Sequence, residues 1–199
     1  MPAHDAAEDE GIADGRVRRG ARNREAIVGA LFDLVGEGEL QPTAEQVAER
    51  AGVQVRTVFR HFEDMASLHA EMSSRLKAQI RPVFEDVLRT GSLADRARSL
   101  VQARALIFER IAPYKRAANT HRWRLEHLQR DHESMVRETR KDLLDTFPEL
   151  ENASASAVAA LDLVSSFEAW DRLRSDQRLG IERARAVMET AVFSLLGTL

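Results

Sequence analysis

The chain of 199 residues contains no cysteine. This absence excludes disulfides, thiolate metal sites and cysteine nucleophiles, and it is compatible with a reducing compartment such as the cytoplasm. Long apolar runs are also absent, since none approaches the roughly 18–20 residues that a membrane-spanning helix needs. The first residues are acidic and no apolar segment follows them, so no signal peptide is predicted. We therefore expect a cytoplasmic protein without a membrane partner.

The sequence also lacks the short motifs of common enzyme classes. It has no GxSxG, no phosphate-binding P-loop, no GxGxxG and no HExxH. His121, His127 and His132 fall on one predicted helix, but their spacings of six and five residues do not place them on one helical face. We predict no catalytic residue, no metal site and no cofactor, and hence a protein that is not an enzyme.

The composition is that of an ordinary globular protein, with 44% hydrophobic and 31% charged residues. Its formal net charge is −3, so the molecule as a whole is not a polycation. Any surface for nucleic acid must therefore be a local cluster of cations.

Residues 43–62, TAEQVAERAGVQVRTVFRHF, predict two short helices joined by a tight turn. Thr43 and Gln46 have the spacing of a capping box at the start of the first helix. Gly52 follows the last apolar position of that helix, where a left-handed C-cap is favoured. A second helical pattern begins at Gln54. Two helices joined through a short turn that contains glycine are typical of a helix-turn-helix.

The outward side of the second helix carries cations and a hydroxyl, at Arg56, Thr57, Arg60 and His61. No acidic residue occurs in residues 54–62. A solvated helix usually mixes both charge signs, so this surface indicates contact with phosphates. The alternative is an ordinary helical hairpin within an all-α core.

The charge of the N-terminal residues changes from negative to positive along the chain. Residues 1–15 are predicted to form a disordered acidic tail. A basic segment then carries five arginines and no acid: Arg16, Arg18, Arg19, Arg22 and Arg24. One interpretation is a basic arm that touches DNA phosphates or enters a minor groove, and the other is a solvated tail joined to the start of a helix. A helix over about 23–36 completes a three-helix DNA-binding domain in residues 16–63.

The remainder of the chain, residues 64–199, predicts a second helical domain. The apolar periodicity indicates helices over about 64–89, 92–113, 122–147, 153–174 and 181–196. Pro82 is expected to kink the first of these helices, and Pro113 is expected to end the second.

The last two predicted helices are apolar over most of their circumference, so each must bury two faces. We expect one face to pack in the chain's own core and the other to meet a second copy in a four-helix interface. The residues predicted for this homodimer interface are Val158, Leu161, Val187, Val192 and Leu195. The alternative is a large monomeric core that surrounds both helices.

The first helix, which contains ALFDLVGEGE, and the stretch TAEQVAERAGVQVRTVFRHFEDMASL that follows it resemble the N-terminal domain of TetR-family regulators. This resemblance implies an all-α fold with an N-terminal three-helix helix-turn-helix DNA-binding domain and a C-terminal helical domain for ligand binding and dimerisation. It implies phosphate contact by Thr43 and base contact by Val55, Arg56 and Thr57.

The resemblance also implies that Phe59 and His61 flank the groove and touch backbone phosphates, while Arg60 is expected to reach a phosphate. Two positions depart from the family pattern. Phe59 replaces a tyrosine that often donates to phosphate, and Met65 replaces a lysine with the same role. Both changes weaken the contact with the DNA backbone, which the basic segment could offset.

The function implied is that of a homodimeric repressor that binds a pseudo-palindromic operator in double-stranded DNA and is released by a small-molecule effector. An effector cavity is expected among the helices after Asp64. The residues predicted to line it are Met72, Phe108, Trp123, His127, Phe167 and Trp170. The alternatives are an all-α small-molecule carrier or enzyme with a vestigial helix-turn-helix, and a DNA binder without an effector.

Overall fold

The computed structural model describes residues 5–197, with the side chains of residues 17–120 and 122–197. These residues form helices joined by turns, and no strand occurs within the described range. The expected all-α fold class is confirmed. The chain divides into two compact units, Met1–Arg75 and Leu76–Leu199. No helix within residues 5–197 combines the length and the apolar composition needed to cross a membrane.

The first unit contains α1 (Asp5–Gly36), α2 (Ala44–Arg50), α3 (Val55–His61) and the N-terminal part of α4 (Met65–Glu85). Its core is made of side chains that are almost completely buried, each of which contributes about 1.5–3 kcal/mol through burial. The members with at most 1% exposure are Ile27, Val28, Leu31, Val35, Val47, Val58 and Leu68.

Helix α1 begins much earlier than the sequence predicted, at Asp5 rather than at about residue 23. Residues 5–15 are therefore helical, and their prediction as a disordered tail was wrong; residues 1–4 of that tail lie outside the described residues. Three alanines and two glutamates in this segment have high helix propensities, whereas its two glycines and three aspartates do not, and its sequence offers few apolar residues for packing.

The start of α2 and the turn from α2 to α3 agree with the prediction. Thr43 Oγ1 accepts a hydrogen bond from the backbone N–H of Gln46 at 3.3 Å, and Gln46 Oε1 accepts from the N–H of Thr43 at 2.7 Å. Gly52 has a φ of +66°, the left-handed conformation that ends a helix at little cost only for glycine. The chain then turns and enters α3 at Val55.

Replacing Gly52 with alanine is expected to lower the free energy of unfolding by about 1–2 kcal/mol, because a Cβ destabilises the left-handed conformation. Gly29 provides the matched control. It lies within α1, and an added Cβ would meet no heavy atom within 4 Å. Gly29→Ala is therefore expected to raise the stability by about 0.5–1 kcal/mol. Urea unfolding of both variants checks the pair, and a shift of the same sign in both would contradict it.

The second unit contains the end of α4 and helices α5 (Leu93–His121), α6 (Glu126–Thr146), α7 (Ala155–Val164), α8 (Phe167–Asp171) and α9 (Ile181–Leu196). A 3₁₀ turn covers Pro148–Asn152, and a π-helical turn covers Arg172–Asp176. Helix α5 packs against α6, α8 and α9. The largest apolar side chains with at most 1% exposure are Leu100, Ile107, Phe108, Ile111, Leu143, Phe147, Leu161, Trp170 and Met188.

Three helix ends in this unit differ from the prediction. Helix α4 ends at Glu85 rather than at about residue 89. Pro113 does not end α5, which continues to His121. A proline inside a helix removes one backbone hydrogen bond, and the burial of Ile111, Ala112 and Ala117 on both sides favours continuation. Helix α6 begins at Glu126 rather than at about residue 122.

The helix predicted over 153–174 is broken between Val164 and Phe167. Ser165 Oγ donates to the carbonyl of Leu161 at 2.7 Å, while Ser166 Oγ accepts from the N–H of Ala169 at 3.2 Å and so caps α8. Serine side chains compete in this way with the backbone ladder. The Arg104 guanidinium donates to the carbonyl of Ser165 at 3.0 Å, so a side chain of α5 satisfies the oxygen that the break leaves free.

The structure corrects part of the predicted dimer interface. Val158, Leu161 and Val192 are buried within the core of their own unit, with exposures of 7%, 0% and 0%. They offer almost no surface to a second chain, so the structure does not support their assignment to the interface. Val187 is 42% exposed and Leu195 is half-buried, so both retain surface for a partner. Apolar periodicity predicted burial but not which face the chain's own helices cover.

The division into units lies within α4, between Arg75 and Leu76, whereas the sequence predicted a boundary before this helix, at 63/64. The N-terminal part of α4 is joined to α1 by ion pairs. Glu71 accepts from Arg24 at 2.8 Å, and Arg75 donates to Glu25 at 2.5 Å. These long-range contacts assign the start of α4 to the first unit.

Candidate functional site

Helix α3 presents an exposed polar side because its apolar side is fixed in the core. Val58 and Phe62 are 1% and 4% exposed. Arg56 and Arg60 are exposed, and Thr57 is half-buried. Phe59 is 48% exposed and lines the same groove as Arg56 and Arg60, so an aromatic ring shares this surface with the two guanidinium groups. We call the side chains of Arg56, Thr57, Phe59 and Arg60 the α3 surface.

A shallow groove of about 360 Å³ runs along the α3 surface, lined by its four side chains and by Gln54. No ion pair within 4 Å involves Arg56 or Arg60 among the residues whose side chains the structure describes. Unpaired guanidinium groups on an exposed helix can bind phosphate, or can donate two parallel hydrogen bonds to guanine O6 and N7. The arrangement therefore has the chemistry of a nucleic-acid contact surface.

The cationic surface extends from α3 to α1. A second groove of about 310 Å³ is lined by Arg19, Gly20 and Asn23 of α1 and by Arg60 and His61 of α3. Arg18 and Arg19 are exposed, as predicted for the basic segment; the side chain of Arg16 lies outside the described residues. Two helices of the first unit thus contribute cations to adjoining positions.

The basic segment is helical, which changes its predicted role. An α-helix with its side chains is about 10–12 Å wide, whereas the minor groove of B-DNA is about 6 Å wide. Insertion of these residues into a minor groove as an extended arm is therefore incompatible with α1 (Asp5–Gly36). Contact with phosphates from the outside of the duplex is compatible with it.

Arg24 is not part of the basic surface, although the sequence pattern placed it there. Its guanidinium donates to the carbonyl of His61 at 3.2 Å and to Glu71 at 2.8 Å, and it lies 4.4 Å from the centroid of the Phe62 ring. The side chain therefore joins α1 to the end of α3 and to α4. The partners lie 37 and 47 residues away along the chain, so local spacing could not reveal them.

His61 does not offer its Nε2 atom for a phosphate contact. This atom is buried and has no hydrogen-bond partner within the described part of the chain. Burial, reinforced by the charges of Arg60 and Arg24, lowers the pKa of His61, so the imidazole is neutral at pH 7. The predicted phosphate donation by a cationic His61 is not supported by this environment.

Thr43 and Val55 keep the positions that were predicted for them. Thr43 is exposed at the N-terminus of α2, and its hydroxyl accepts from Gln46, so the hydroxyl proton can still be donated to a phosphate. Val55 is half-buried at the start of α3. Together with Arg56 and Thr57 it forms the first turn of that helix.

The second unit contains a cavity of about 250 Å³. Helices α5, α6, α7 and α8 and the break before α8 contribute its walls. The lining residues are Phe108, Lys115, Met135, Val136, Thr139, Ala159, Asp162, Leu163, Ser166, Phe167 and Glu168. Two of the six predicted lining residues, Phe108 and Phe167, are among them.

The other four predicted lining residues lie elsewhere. Met72 is buried in the first unit. Trp123 is 75% exposed and lies under the Arg122 guanidinium, 4.3 Å from it. Trp170 is completely buried, and its indole N–H donates to Glu109 at 2.8 Å. His127 is half-buried on α6 and does not line this cavity. Periodicity identified core aromatic residues but not the side of the core that is left open.

Lys115 and Asp162 are cavity residues that the sequence pattern did not predict for this site. The presence of a lysine on the buried side of α5 was the available signal, because a lysine is rarely buried without a reason. Within the described residues, no group of three or more histidine, aspartate or glutamate side chains has the arrangement of a metal site.

No protein-family model matches the chain, and no curated protein matches it. Solved structures of transcriptional regulators do have its fold. One, from Rhodococcus sp. RHA1, is 21% identical, with a TM-score of 0.68 over 88% of this chain and 96% of that chain. A TetR-family regulator from Streptomyces coelicolor is 15% identical, with a TM-score of 0.62 over 87% of this chain and 78% of that chain. A TetR regulator from Rhodococcus sp. RHA1 is 20% identical, with a TM-score of 0.53 over 89% of this chain and 98% of that chain.

Proposed function

We propose that this chain, which has the fold of TetR-family transcriptional regulators, is a sequence-specific DNA-binding regulator of transcription. It acts as a homodimeric repressor that a small molecule releases from its operator. The observation that carries this proposal is the α3 surface, where Arg56 and Arg60 are exposed and have no ion-pair partner within the described residues.

The proposed contacts with DNA follow from the chemistry of each side chain. Helix α3 enters the major groove, where Arg56 pairs with guanine O6 and N7 and Thr57 meets a thymine methyl group. Thr43 and Arg60 donate to phosphates, and Arg18 and Arg19 of α1 add charge that attracts the backbone without reading sequence. Phe59 contributes an apolar contact at the edge of the groove.

A homodimer is proposed because a single α3 surface reads only a few base pairs. Helix α9 supports this proposal, since Val187 and Ile181 expose 42% and 45% of their surface there. A twofold dimer requires a pseudo-palindromic operator with half-sites roughly 34–36 Å apart. The proposed effector occupies the cavity of the second unit and binds more tightly to the conformation that does not fit the operator. Helix α4 contributes residues to both units and is the proposed connection.

Selection of bound fragments from genomic DNA, followed by footprinting, tests this function. The expected result is a protected pseudo-palindrome whose affinity falls steeply with salt. Size measurement of the complex is expected to give two chains per operator. A protein that binds small molecules but protects no sequence at any salt concentration would instead be an all-α carrier or enzyme with a vestigial helix-turn-helix.

Arg19→Ala is expected to weaken binding to operator and to random DNA by the same factor, because its contact is with phosphate alone. The slope of log K against log salt should fall by about one unit. Arg130→Ala is the control, since Arg130 is an exposed arginine of α6 that pairs with Glu126. Gel-shift titrations over a range of salt concentrations measure both variants. An effect of Arg19→Ala confined to the operator would contradict a phosphate contact.

A further inference from the structure

The walls of the second-unit cavity combine aromatic rings with one amine. Phe108 and Phe167 meet edge to face, with ring centroids 5.8 Å apart and an interplanar angle of 84°. Met135, Val136 and Leu163 add aliphatic surface. Such walls favour an apolar body, and the polar groups among them determine which head group it carries.

Lys115 provides the one cationic group among the cavity's lining residues. Its Nζ atom is 2.9 Å from Nδ1 of His132 and 5.6 Å from the centroid of the Phe167 ring. An ammonium group has only donors, so His132 Nδ1 accepts and its proton lies on Nε2. No carboxylate lies within ion-pair distance of Lys115 in the described part of the chain. Two of the three N–H groups of Lys115 therefore remain available to a ligand.

The surroundings of Lys115 disfavour its charged form. Burial has the largest effect and lowers the pKa of Lys115. The negative charge of Glu168 raises this pKa, the positive charge of Arg122 lowers it, and the negative charge of Asp131 raises it. The two carboxylates only partly offset the effect of burial. Burial, then Lys115 and Arg122, lowers the pKa of His132, so the imidazole is neutral and accepts the hydrogen bond. A partly desolvated cation without a paired anion is destabilising, and an anion that enters the site offsets this cost.

Two carboxylates also line the cavity, and neither competes well for the head group. Asp162 accepts from Arg140 at 3.3 Å, so its charge is already neutralised. Glu168 is exposed at the rim, where water solvates it. The charge that is partly desolvated and has no ion-pair partner among the described side chains is therefore that of Lys115.

We propose that this cavity binds a small organic acid, whose carboxylate accepts from Lys115 and whose apolar body packs against Phe108 and Phe167. The inference rests on the proposed effector function and names the chemical class of the effector. A carboxylate at Lys115 replaces missing solvation with a charge-assisted hydrogen bond. A cationic ligand of the same shape gains no such contact, and a neutral amide accepts the hydrogen bond without bringing a compensating charge.

Three probes with the same apolar chain and different head groups test the proposal: octanoate, octanamide and octylamine. Their binding to the full-length wild-type chain is measured by calorimetry without DNA. Octanoate is expected to bind at least about tenfold more tightly than octanamide, and octylamine is expected to bind more weakly than either. Equal affinities, or tighter binding of octylamine through Asp162 or Glu168, would overturn the proposal.

Variants of Lys115 then assign the contact. Lys115→Met keeps the length of the side chain and removes its charge, so octanoate should lose about tenfold or more in affinity while octanamide changes less. Lys115→Arg retains the charge and should retain preference for octanoate over octanamide. Lys141→Met is the control, because Lys141 is an exposed lysine of α6 that pairs with Asp145. Unchanged octanoate binding in a folded Lys115→Met would refute the assignment; if that variant does not fold, the wild-type probe series decides alone.

The measurement separates this inference from the proposed DNA function. Octanoate binding by a chain that protects no operator would leave the ligand class established and the regulator refuted. Operator protection by a chain that binds octanoate no better than octanamide would refute the ligand class alone.

Discussion

Arg104→Met is expected to destabilise the second unit by about 1–3 kcal/mol, because it removes the donor of a buried carbonyl. Arg104 is 1% exposed. It donates to the carbonyls of Ser165 and Thr139 at 3.0 and 2.6 Å and lies 3.4 Å from an oxygen of Asp142. Methionine fills a similar space but leaves the carbonyl of Ser165, at the helix break, without a donor.

The same network limits the loss. Asp142 also accepts from Arg89 at 2.6 Å, so its carboxylate does not become an unpaired buried charge. Burial lowers the pKa of Arg104, and Asp142 opposes that effect. The largest part of the expected change therefore comes from the carbonyl of Ser165, which loses its donor, and from the helix break there that the guanidinium stabilises.

Amide hydrogen exchange at increasing urea concentrations measures this change within α5, α6 and α7. Arg137→Met is the matched control, since Arg137 is an arginine of α6 with 70% of its side chain exposed and a contact of 4.0 Å with Glu133. Its effect should stay within about 0.5 kcal/mol. Wild-type protection of residues 155–171 in Arg104→Met would show that the guanidinium does not stabilise the break.

Arg56→Ala is expected to cost about 1–3 kcal/mol of binding free energy on the operator and to relax the preference for one base pair. The reason is the position of the side chain. Arg56 is exposed in the first turn of α3, and no carboxylate pairs with it among the described side chains. No ion pair among those side chains therefore has to be broken before the guanidinium contacts a base.

Binding of Arg56→Ala is compared on the operator, on operators with each half-site position changed, and on random DNA. The variant should lose discrimination at one symmetric position and keep nearly all of its random-DNA affinity. Equal losses on operator and random DNA would assign Arg56 to phosphate contact, as expected for Arg19. The exposed position predicts little change in the thermal stability of the variant.

Sequence reasoning was most successful where a structural feature depends on neighbouring residues. The capping box at Thr43, the left-handed Gly52 and the bounds of α9 all follow from contacts within four positions along the chain. The fold class and the exposure of Arg56 and Arg60 follow from the same periodicity. These features define the candidate nucleic-acid interface, so most of that site was predictable.

Sequence reasoning was least successful where a side chain finds a distant partner. Arg24 was assigned to a basic surface, but it donates hydrogen bonds to His61 and Glu71, which lie 37 and 47 positions away along the chain. Arg104 was not singled out, although it joins α5 to α6 and to the end of α7. The buried Val158 and Leu161 show the same limit, since an apolar face does not indicate which neighbour covers it. Tertiary packing, and not local pattern, decides these cases.

The two tryptophans give the protein a built-in optical readout. Both belong to the second unit. Trp170 is completely buried and bonded to Glu109, whereas Trp123 is 75% exposed. The first indole should emit at shorter wavelength and be protected from aqueous quenchers such as iodide, and the second should emit at longer wavelength and be quenched. Indole emission therefore reports on the second unit alone, whereas far-ultraviolet circular dichroism reports on the helices of both units. Comparing the unfolding curves from the two signals separates the unfolding of one unit from that of the other.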